Sequence, residues 1–337
     1  MKKLRLSKNI ITIPFMSILT IAIFSCSSLN DKTIEKVAEK NDSDINEELK
    51  ENDSKSEDSI TNDEDTNDDF ESEDDKLIKK IRSEIELMDF GIDEDMKVEL
   101  SQGEYHSKVT SDFNSGDKLL PISMVSVGSE NKNYRKLSLT FDSSDKPSET
   151  KIDTILDLLD EYDFKATFFM TYEFMSKNYE DVIKVVERGH EIANHSATHK
   201  SFDEISDEEI VREILIPHYF VKELTGIDMC LFRFPYGAYS NRAIELLTKL
   251  GYYPIQWAAD SIDWKGESAD IIYDRLVNSN KLFSGSIVLF HIWPANTPEV
   301  LPSFFEYLKN NNLSSIKVSD LIIKDDFKIV WGKQYSN

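Results

Sequence analysis

From Tyr134 onward the chain alternates short apolar runs with amphipathic segments. Ala166–Met170 has the length of a buried strand, whereas Ile152, Ile155 and Leu159 recur at helical spacing. About seven strands alternating with six helices are typical of a parallel α/β fold. The predicted strands are Leu137–Phe141, Ala166–Met170, Glu191–Asn194, Leu231–Arg233, Tyr253–Ala258, Ser286–His291 and Ser315–Val318.

Residues suited to acid–base or metal chemistry follow these strands at one end. Asp142 ends the first predicted strand, Arg233 ends the fourth and His291 ends the sixth. In parallel barrels the carboxyl ends of the strands form the active-site face. This placement predicts an enzyme with its active site at that face.

Two histidines four residues apart, His195 and His199, come just after the third strand. Imidazoles at this spacing on one turn can share a metal ion, and neutral imidazole suits Zn²⁺ or a similar cation. The alternative is a pair of solvated loop histidines. The position at a strand end favours the metal site.

Arg233 stands within an apolar segment that ends in a Tyr236–Gly237 turn. Its guanidinium group can hold a carboxylate such as Asp142 ionised and oriented. A backbone N–H of the turn can face a developing oxyanion. His291 becomes a general acid if a nearby carboxylate, such as Asp263, fixes its tautomer and raises its pKa.

Charge is distributed unevenly along the chain. The 337 residues carry a net charge of −24, and Ser27–Lys76 alone holds 20 acidic and six basic residues, a net of −14. Such an acidic excess argues against nucleic acid as a partner. The segment has almost no apolar surface to offset its ordering entropy, and we predict residues 26–76 to be a disordered tether.

The first 25 residues have the pattern of a secretory signal. A basic start precedes the 15-residue apolar run Ile10–Phe24, which is too short to cross a membrane. Ser25-Cys26 resembles the lipobox of bacterial lipoproteins, in which the cysteine is lipidated and becomes the mature N-terminus. We therefore expect an extracytoplasmic lipoprotein, anchored through Cys26 at the cell surface or in the periplasm.

The remaining segments carry no chemistry that we assign. Residues 77–133 form a small N-terminal segment, and residues 324–337 form a C-terminal extension. The predicted catalytic domain therefore spans residues 134–323.

These motifs together resemble the NodB-homology domain of the polysaccharide deacetylases, carbohydrate esterase family four. The resemblance implies a distorted (β/α) barrel and metal-dependent removal of acetyl groups from N- or O-acetylated sugars. The expected partner is an acetylated polysaccharide: peptidoglycan, a chitin-like glycan or an exopolysaccharide. The matching motifs are Leu139–Asp142, Gly189–His199, Arg233–Gly237, Asp260–Trp264 and Ile287–His291.

The resemblance also implies roles for individual residues. Asp142, paired with Arg233, is the catalytic base. His291, positioned by Asp263, is the general acid. The backbone N–H of Tyr236 contributes to the oxyanion site. Two further groups of residues are expected at the site: Trp264 beside the substrate, and His195 and His199 on a divalent ion, expected to be Zn²⁺.

One departure from the family pattern concerns the third metal ligand. The family usually has a second aspartate directly after the base, but this chain has Ser143. The segment is also two residues longer, and we expect Asp145 to replace the missing acid; the alternative is a metal ion held by the two histidines and water. The alternative function is a catalytically impaired, glycan-binding or regulatory pseudoenzyme. Ser143 favours that alternative, whereas the intact Asp142, Arg233, Asp263 and His291 favour an active deacetylase.

Overall fold

The computed structural model describes residues 71–100, 102, 113–115, 118–126, 134–143 and 150–336. The predicted signal peptide, the lipidation site Cys26, most of the acidic tether and the predicted ligand Asp145 lie outside these residues. No helix in the described part of the chain is long and apolar enough to cross a membrane.

The described elements continue the alternation seen in the sequence. The helices are α1 (Glu73–Ile85), α2 (Ile152–Glu161), α3 (Tyr172–Met175), α4 (Tyr179–Glu187), α5 (Asp207–Thr225), α6 (Asn241–Lys249), α7 (Ala269–Val277), α8 (Thr297–Asn310) and α9 (Val318–Leu321). The strands are β1 (Asn114–Ser115), β2 (Lys118–Leu119), β3 (Met124–Val125), β4 (Lys136–Asp142), β5 (Ala166–Met170), β6 (Glu191–Asn194), β7 (Leu231–Phe232), β8 (Tyr253–Pro254), β9 (Ala259–Asp260), β10 (Ile287–His291), β11 (Ser314–Ser315), β12 (Phe327–Val330) and β13 (Lys333–Ser336).

Seven parallel strands form the main sheet, in the order β8-β7-β6-β5-β4-β10-β9, and the short β11 pairs with the start of β4. This confirms the predicted α/β fold of about seven parallel strands. Strands β4 and β10 are in register, so that His291 lies directly beside Asp142. The carboxyl ends of the strands therefore form one edge, as expected for a parallel sheet.

Side chains alternate between the two faces of the central strands. Phe141 stacks on Phe168 and Phe290, and Phe290 packs against Phe304 of α8, so these rings fill the layer between the sheet and the helices. The neighbouring residues Thr140 and Asp142 project to the opposite face, inside the curved sheet, where catalytic groups collect.

The fifth predicted strand, Tyr253–Ala258, is wrong in its extent. The strand β8 ends at Pro254, and the chain then crosses to the other edge of the sheet, where β9 pairs with β10. The N–H of Ile255 still donates to the carbonyl of Phe232 (2.8 Å), but the next bonds lead away from β7, since Gln256 donates to Ile122 and Ala258 to Ile287. The crossing segment spans the open side of the sheet and gives the fold its incomplete barrel shape.

The last predicted strand, Ser315–Val318, is also wrong in its extent. Only Ser314–Ser315 pairs with β4, and Val318 begins the helix α9. The backbone N–H of Val318 donates to the side-chain hydroxyl of Thr167 on β5 (2.9 Å) and not to a backbone carbonyl. A side-chain acceptor thus takes the place of the strand ladder at Val318, and apolar periodicity in the sequence does not show this.

The predicted tether extends too far, because helix α1 begins at Glu73 and includes residues 73–76. The Ser72 hydroxyl accepts from the N–H of Asp75 (3.2 Å), and acidic side chains occupy the positive end of the helix. Asp74 forms ion pairs with Arg242 and Lys249 of α6. Acids that look like solvated charge in the sequence are therefore bound to the domain.

One small sheet is formed by the N-terminal segment and the C-terminal extension, which were predicted as separate segments. Strand β13 pairs with both β12 and β3, in the order β12-β13-β3. Val125 donates its N–H to the carbonyl of Gly285 (2.8 Å), just before β10. The small sheet therefore lies at the amino end of the main strands, opposite the catalytic edge.

Candidate active site

A cavity of about 560 Å³ opens at the carboxyl edge of the main sheet. It brings together six of the residues predicted for the site from the sequence: Asp142, His195, His199, Tyr236, Trp264 and His291. Two more, Arg233 and Asp263, are fully buried and contact members of this group.

Asp142 and Arg233 form the ion pair that the sequence predicts. Arg233 Nη1 donates to Asp142 Oδ1 at 2.6 Å and to the Thr140 hydroxyl at 2.9 Å. The guanidinium carbon lies 4.0 Å from the centre of the Phe169 ring, and Nη2 donates to the carbonyl of Gln256 (3.2 Å). Arg233 is thus enclosed, and its fork orients the carboxylate toward the cavity.

Burial sets the protonation behaviour of Asp142. Removal from water raises the pKa of its carboxyl group above the ordinary value, although the Arg233 guanidinium opposes this rise. A carboxylate with a raised pKa is a stronger base than a solvated one. The environment of Asp142 is therefore suited to accepting a proton from a water molecule.

His195 is held as a neutral ligand in one tautomer. Its Nδ1–H donates to the backbone carbonyl of Arg233 (2.8 Å), so Nε2 carries the free lone pair and lies 3.6 Å from Asp142 Oδ2. Burial lowers the pKa of His195 to about 3. A histidine whose second nitrogen is fixed by a carbonyl group is typical of a metal ligand.

The donors present fit a divalent cation. The ring centroids of His195 and His199 are 5.0 Å apart. The Asp142 carboxylate faces His195. Within the described ranges no group of three histidine, cysteine or acidic side chains is close enough to bind a metal ion. The third predicted ligand, Asp145, falls in the gap between residues 143 and 150.

Ser143, which occupies the place of the family's usual aspartate, is turned into the protein. Its side chain is fully buried, and its oxygen accepts from the backbone N–H of Thr171 at 2.9 Å. The hydroxyl of Thr171 is 3.4 Å away. Ser143 therefore joins β4 to the start of α3.

His291 and Asp263 form a buried dyad on the other side of the cavity. The Nδ1–H of His291 donates to Asp263 Oδ1 at 2.6 Å, which leaves Nε2 as the atom available for proton transfer. Asp263 also accepts from the His291 backbone N–H (2.9 Å) and the Thr297 hydroxyl (2.6 Å). Asp260, three residues before Asp263, instead accepts from the N–H of Ile262 (2.9 Å).

The Tyr236–Gly237 turn has a backbone that requires glycine. Both residues have positive φ, 59° and 68°. A Cβ on Gly237 would lie 2.8 Å from Gln256 Nε2 and 3.0 Å from the Trp257 ring. The turn therefore packs against the crossing segment, and it places the exposed Tyr236 ring 4.5 Å from that of His199.

Four of the nine non-glycine residues with positive φ in the described part of the chain lie around the cavity. Ser196, His199, Tyr236 and Ile262 all have positive φ, between 55° and 76°. Each such residue costs free energy and persists only where the surrounding contacts hold it, which is common in functional sites. All four lie within or beside a motif that contributes a predicted catalytic or metal-binding residue.

Several residues that line the cavity were not predicted from the sequence. They are aromatic or apolar. Two of them, Phe234 and Trp293, lie two residues after the end of a strand, and that position is the signal that could have identified them. The ring of Trp293, two residues after β10, is 4.5 Å from that of His291. The others are Phe234, Trp257 and Leu289.

Comparison with known proteins places this site in a family. The family model described as polysaccharide deacetylase matches residues 129–255. A peptidoglycan-N-acetylglucosamine deacetylase of Bacillus cereus is 31% identical over 56% of this chain and 89% of its own length. The chain belongs to the polysaccharide deacetylase family. The deacetylase PgdA of Listeria monocytogenes is 30% identical, and the match covers 60% of this chain but 42% of PgdA.

Solved structures of polysaccharide deacetylases show the same fold. A peptidoglycan N-acetylglucosamine deacetylase matches with a TM-score of 0.55 and 25% identity, over 60% of this chain and 94% of the other. A mutant of a Bacillus anthracis family-four pseudoenzyme, with restored enzymatic activity, matches with a TM-score of 0.55 and 26% identity, over 62% and 72%. Active and inactive relatives thus share this architecture.

Proposed function

We propose that this protein is a metal-dependent deacetylase that hydrolyses acetyl groups on N-acetylated, or O-acetylated, polysaccharide of the cell surface or the extracellular space. The observation that carries the proposal is the opposed pair of proton-transfer groups in one cavity. Asp142, oriented by Arg233, is the base, and His291, oriented by Asp263, is the acid.

The chemistry follows from the positions of these groups. A divalent ion held by His195 and His199, expected to be Zn²⁺, would acidify a water molecule and polarise the acetyl carbonyl group. Asp142 accepts the proton of the attacking water, and the backbone N–H of Tyr236 is expected to donate to the developing oxyanion. His291 Nε2 then protonates the leaving nitrogen, which completes hydrolysis to acetate and a free amine.

The aromatic rim of the cavity supports a sugar substrate. Tyr236 and Trp264 are 71% and 53% exposed at the cavity, so their faces are available for contact with pyranose rings. The named activities of the Bacillus and Listeria relatives point to peptidoglycan as the first glycan to test. Chitin-like glycans and exopolysaccharides remain the other classes, since a chitooligosaccharide deacetylase is also 28% identical.

Acetate release from a panel of acetylated glycans, with and without a chelator, tests the proposal. We expect release from at least one N-acetylated glycan, loss of release on chelation, and recovery on addition of Zn²⁺. Release that resists chelation would contradict the role of the metal. Absence of release from every glycan, with retained glycan binding, would support the pseudoenzyme.

The pseudoenzyme stays as the second candidate because of Ser143. A carboxylate is missing directly after the base, and one structural relative is a family pseudoenzyme. Against it, the Asp142–Arg233 and Asp263–His291 pairs both have short hydrogen bonds of 2.6 Å. We therefore favour the active enzyme.

Substitutions at Ser143 and Asp145 should affect different properties: the first should lower stability, and the second should lower Zn²⁺ affinity. Ser143→Ala leaves the Thr171 N–H without its acceptor, and it should cost about 1–3 kcal/mol of stability with little change in metal affinity. Asp145→Ala should weaken Zn²⁺ binding and activity together, because a carboxylate ligand is lost. Urea unfolding and calorimetric Zn²⁺ titration measure the two effects.

A matched control is Ser176→Ala, which removes an exposed hydroxyl bonded to the carbonyl of Glu173 and should change stability by less than about 0.5 kcal/mol. Weaker Zn²⁺ binding by Ser143→Ala at unchanged stability would make Ser143 a ligand. Unchanged binding by Asp145→Ala would remove Asp145 from the site.

The rate should fall as the pH rises through the pKa of His291, because the acid must be protonated. Burial lowers this pKa, but the hydrogen bond and charge of Asp263 outweigh burial, and the net shift is upward. Asp263→Asn should therefore move the alkaline fall in kcat/KM to lower pH. The control Asp260→Asn removes a carboxylate that is not hydrogen-bonded to His291, and it should shift the alkaline fall in kcat/KM less. An alkaline limb that Asp263→Asn leaves in place would contradict the dyad.

We also propose that the protein is a lipoprotein anchored to the membrane through Cys26, outside the cytoplasm. The basic start, the short apolar run and the Ser25-Cys26 junction support this. Cys26→Ala should release the protein from membranes or block its processing, as measured by membrane fractionation. The control Cys230→Ala, at a buried cysteine in the barrel, should leave fractionation unchanged. Full membrane retention of Cys26→Ala with normal processing would overturn the anchor.

A further inference from the structure

The loop that carries His195 and His199 has a backbone that its own sequence does not favour. Ser196 and His199 both have positive φ, 76° and 58°, and neither is glycine. Within the loop, the N–H of His199 donates to the Ser196 hydroxyl (3.0 Å). Two strained residues in a five-residue loop require contacts from outside it to hold the conformation.

One carboxylate on helix α5 supplies three of these contacts. Glu213 Oε2 accepts from the backbone N–H groups of Ala197 (2.9 Å) and Thr198 (2.8 Å), and Oε1 accepts from the Thr198 hydroxyl (2.6 Å). The Glu213 side chain is only 6% exposed. Hydrogen bonds from backbone N–H groups to a carboxylate are among the stronger ones in proteins, so Glu213 is a main support of the centre of the loop.

A second contact ties the start of the loop to the same helix. Asn194 Oδ1 accepts from the N–H of Ser196 (2.9 Å), and Asn194 Nδ2 donates to the carbonyl of Ile214 (2.8 Å). The two contacts reach adjacent residues of α5. The first two backbone N–H groups of α3 also donate to carbonyls of the loop, at 3.0 and 3.1 Å. The spacing of the two histidines therefore depends on α5 together with α3.

We infer that Glu213 is a positioning residue for the metal-binding loop: its carboxylate holds Ala197 and Thr198 so that His195 and His199 face one divalent cation. Glu213 itself does not line the cavity. This inference rests on the proposed function only for the identity of the ion. The hydrogen bonds from the loop to Glu213 do not depend on that function.

Helix α5 offers a matched control one turn earlier. Glu209 also accepts a backbone N–H, that of Ser206 (3.2 Å), but it caps its own helix and its side chain is 46% exposed. Glu209 contacts this segment only through the Lys200 side chain (3.3 Å), so Glu209→Gln removes the same charge from the same helix without removing an acceptor from the loop backbone. Glu213→Gln keeps the volume and one acceptor oxygen, so the barrel should still fold.

The experiment compares full-length wild-type protein, Glu213→Gln and Glu209→Gln by two readouts. Amide hydrogen exchange of residues 195–200, without metal, reports the hold on the loop. Calorimetric titration with Zn²⁺ alone reports the consequence. For Glu213→Gln we expect faster exchange at Ala197 and Thr198 and Zn²⁺ affinity about 10–100-fold weaker, the usual effect of removing an outer support of a metal site. Glu209→Gln should match the wild type in both.

Unchanged exchange in Glu213→Gln would overturn the inference, as would faster exchange with unchanged Zn²⁺ affinity. Equal weakening by Glu209→Gln would also overturn it, since the effect would then belong to the helix and not to the loop contact. Failure of the wild type to bind Zn²⁺ would overturn the proposed function instead. The exchange comparison would then decide by itself whether Glu213 holds the loop.

Discussion

Replacing His291 with alanine should lower kcat for an N-acetylated glycan by about 10²-fold or more, with little change in KM. The amine is a poor leaving group unless it is protonated, and Nε2 of His291 is the atom free to donate that proton, since Nδ1 is bound to Asp263 at 2.6 Å. Steady-state rates of acetate release measure the loss.

The leaving group provides an internal control for this prediction. A phenolate needs no proton to depart, so hydrolysis of an aryl acetate should lose much less rate in His291→Ala. His218→Ala, at a histidine of α5 bonded to the Tyr252 hydroxyl, should leave both rates unchanged. Near-native glycan deacetylation by His291→Ala would show that the proton comes from another group.

Replacing Arg233 with methionine should lower the free energy of unfolding by about 3–5 kcal/mol and abolish most of the activity. The substitution leaves Asp142 buried without a partner, because the only guanidinium within hydrogen-bonding distance in the described structure is gone. The pKa of Asp142, already raised by burial, should rise further and leave the base protonated. Urea unfolding and steady-state rates measure the two effects.

A double variant separates the lost ion pair from lost packing. Arg233→Met with Asp142→Leu removes both charges, and it should recover most of the stability but none of the activity. Arg242→Met is the surface control, because Arg242 pairs with Asp74 and Asp207 where its side chain is 36% exposed, and it should cost about 1 kcal/mol or less. A loss below that of Arg242→Met would show that Arg233 does not compensate a buried charge.

Local patterns in the sequence were sufficient for the central strands. Ala166–Met170 matches its predicted bounds because it is buried and almost entirely apolar, and Glu191–Asn194 also matches although both of its end residues are polar. The position of Asp142 and His291 at strand ends predicted a shared edge because the carboxyl ends of parallel strands meet there. In-register pairing of β4 and β10 then brings the two residues side by side.

Only the tertiary structure shows how closely the predicted partners meet. His291 Nδ1 lies 2.6 Å from Asp263, as the resemblance implies, whereas Asp260, three residues earlier, accepts from the N–H of Ile262. The boundary of the acidic tether was misplaced because ion pairs between Asp74 and the distant Arg242 and Lys249 are not visible in composition.

The sequence by itself determined the fold class, since the alternation of strands and helices follows from short-range periodicity, and it predicted a set of candidate catalytic groups through the family resemblance. The tertiary structure alone decided how those groups are supported. Ser143 bonds to Thr171, 28 residues away, and Glu213 holds the N–H groups of Ala197 and Thr198 across the gap between a loop and a helix. Such contacts form only when separate elements pack, so no local pattern encodes them.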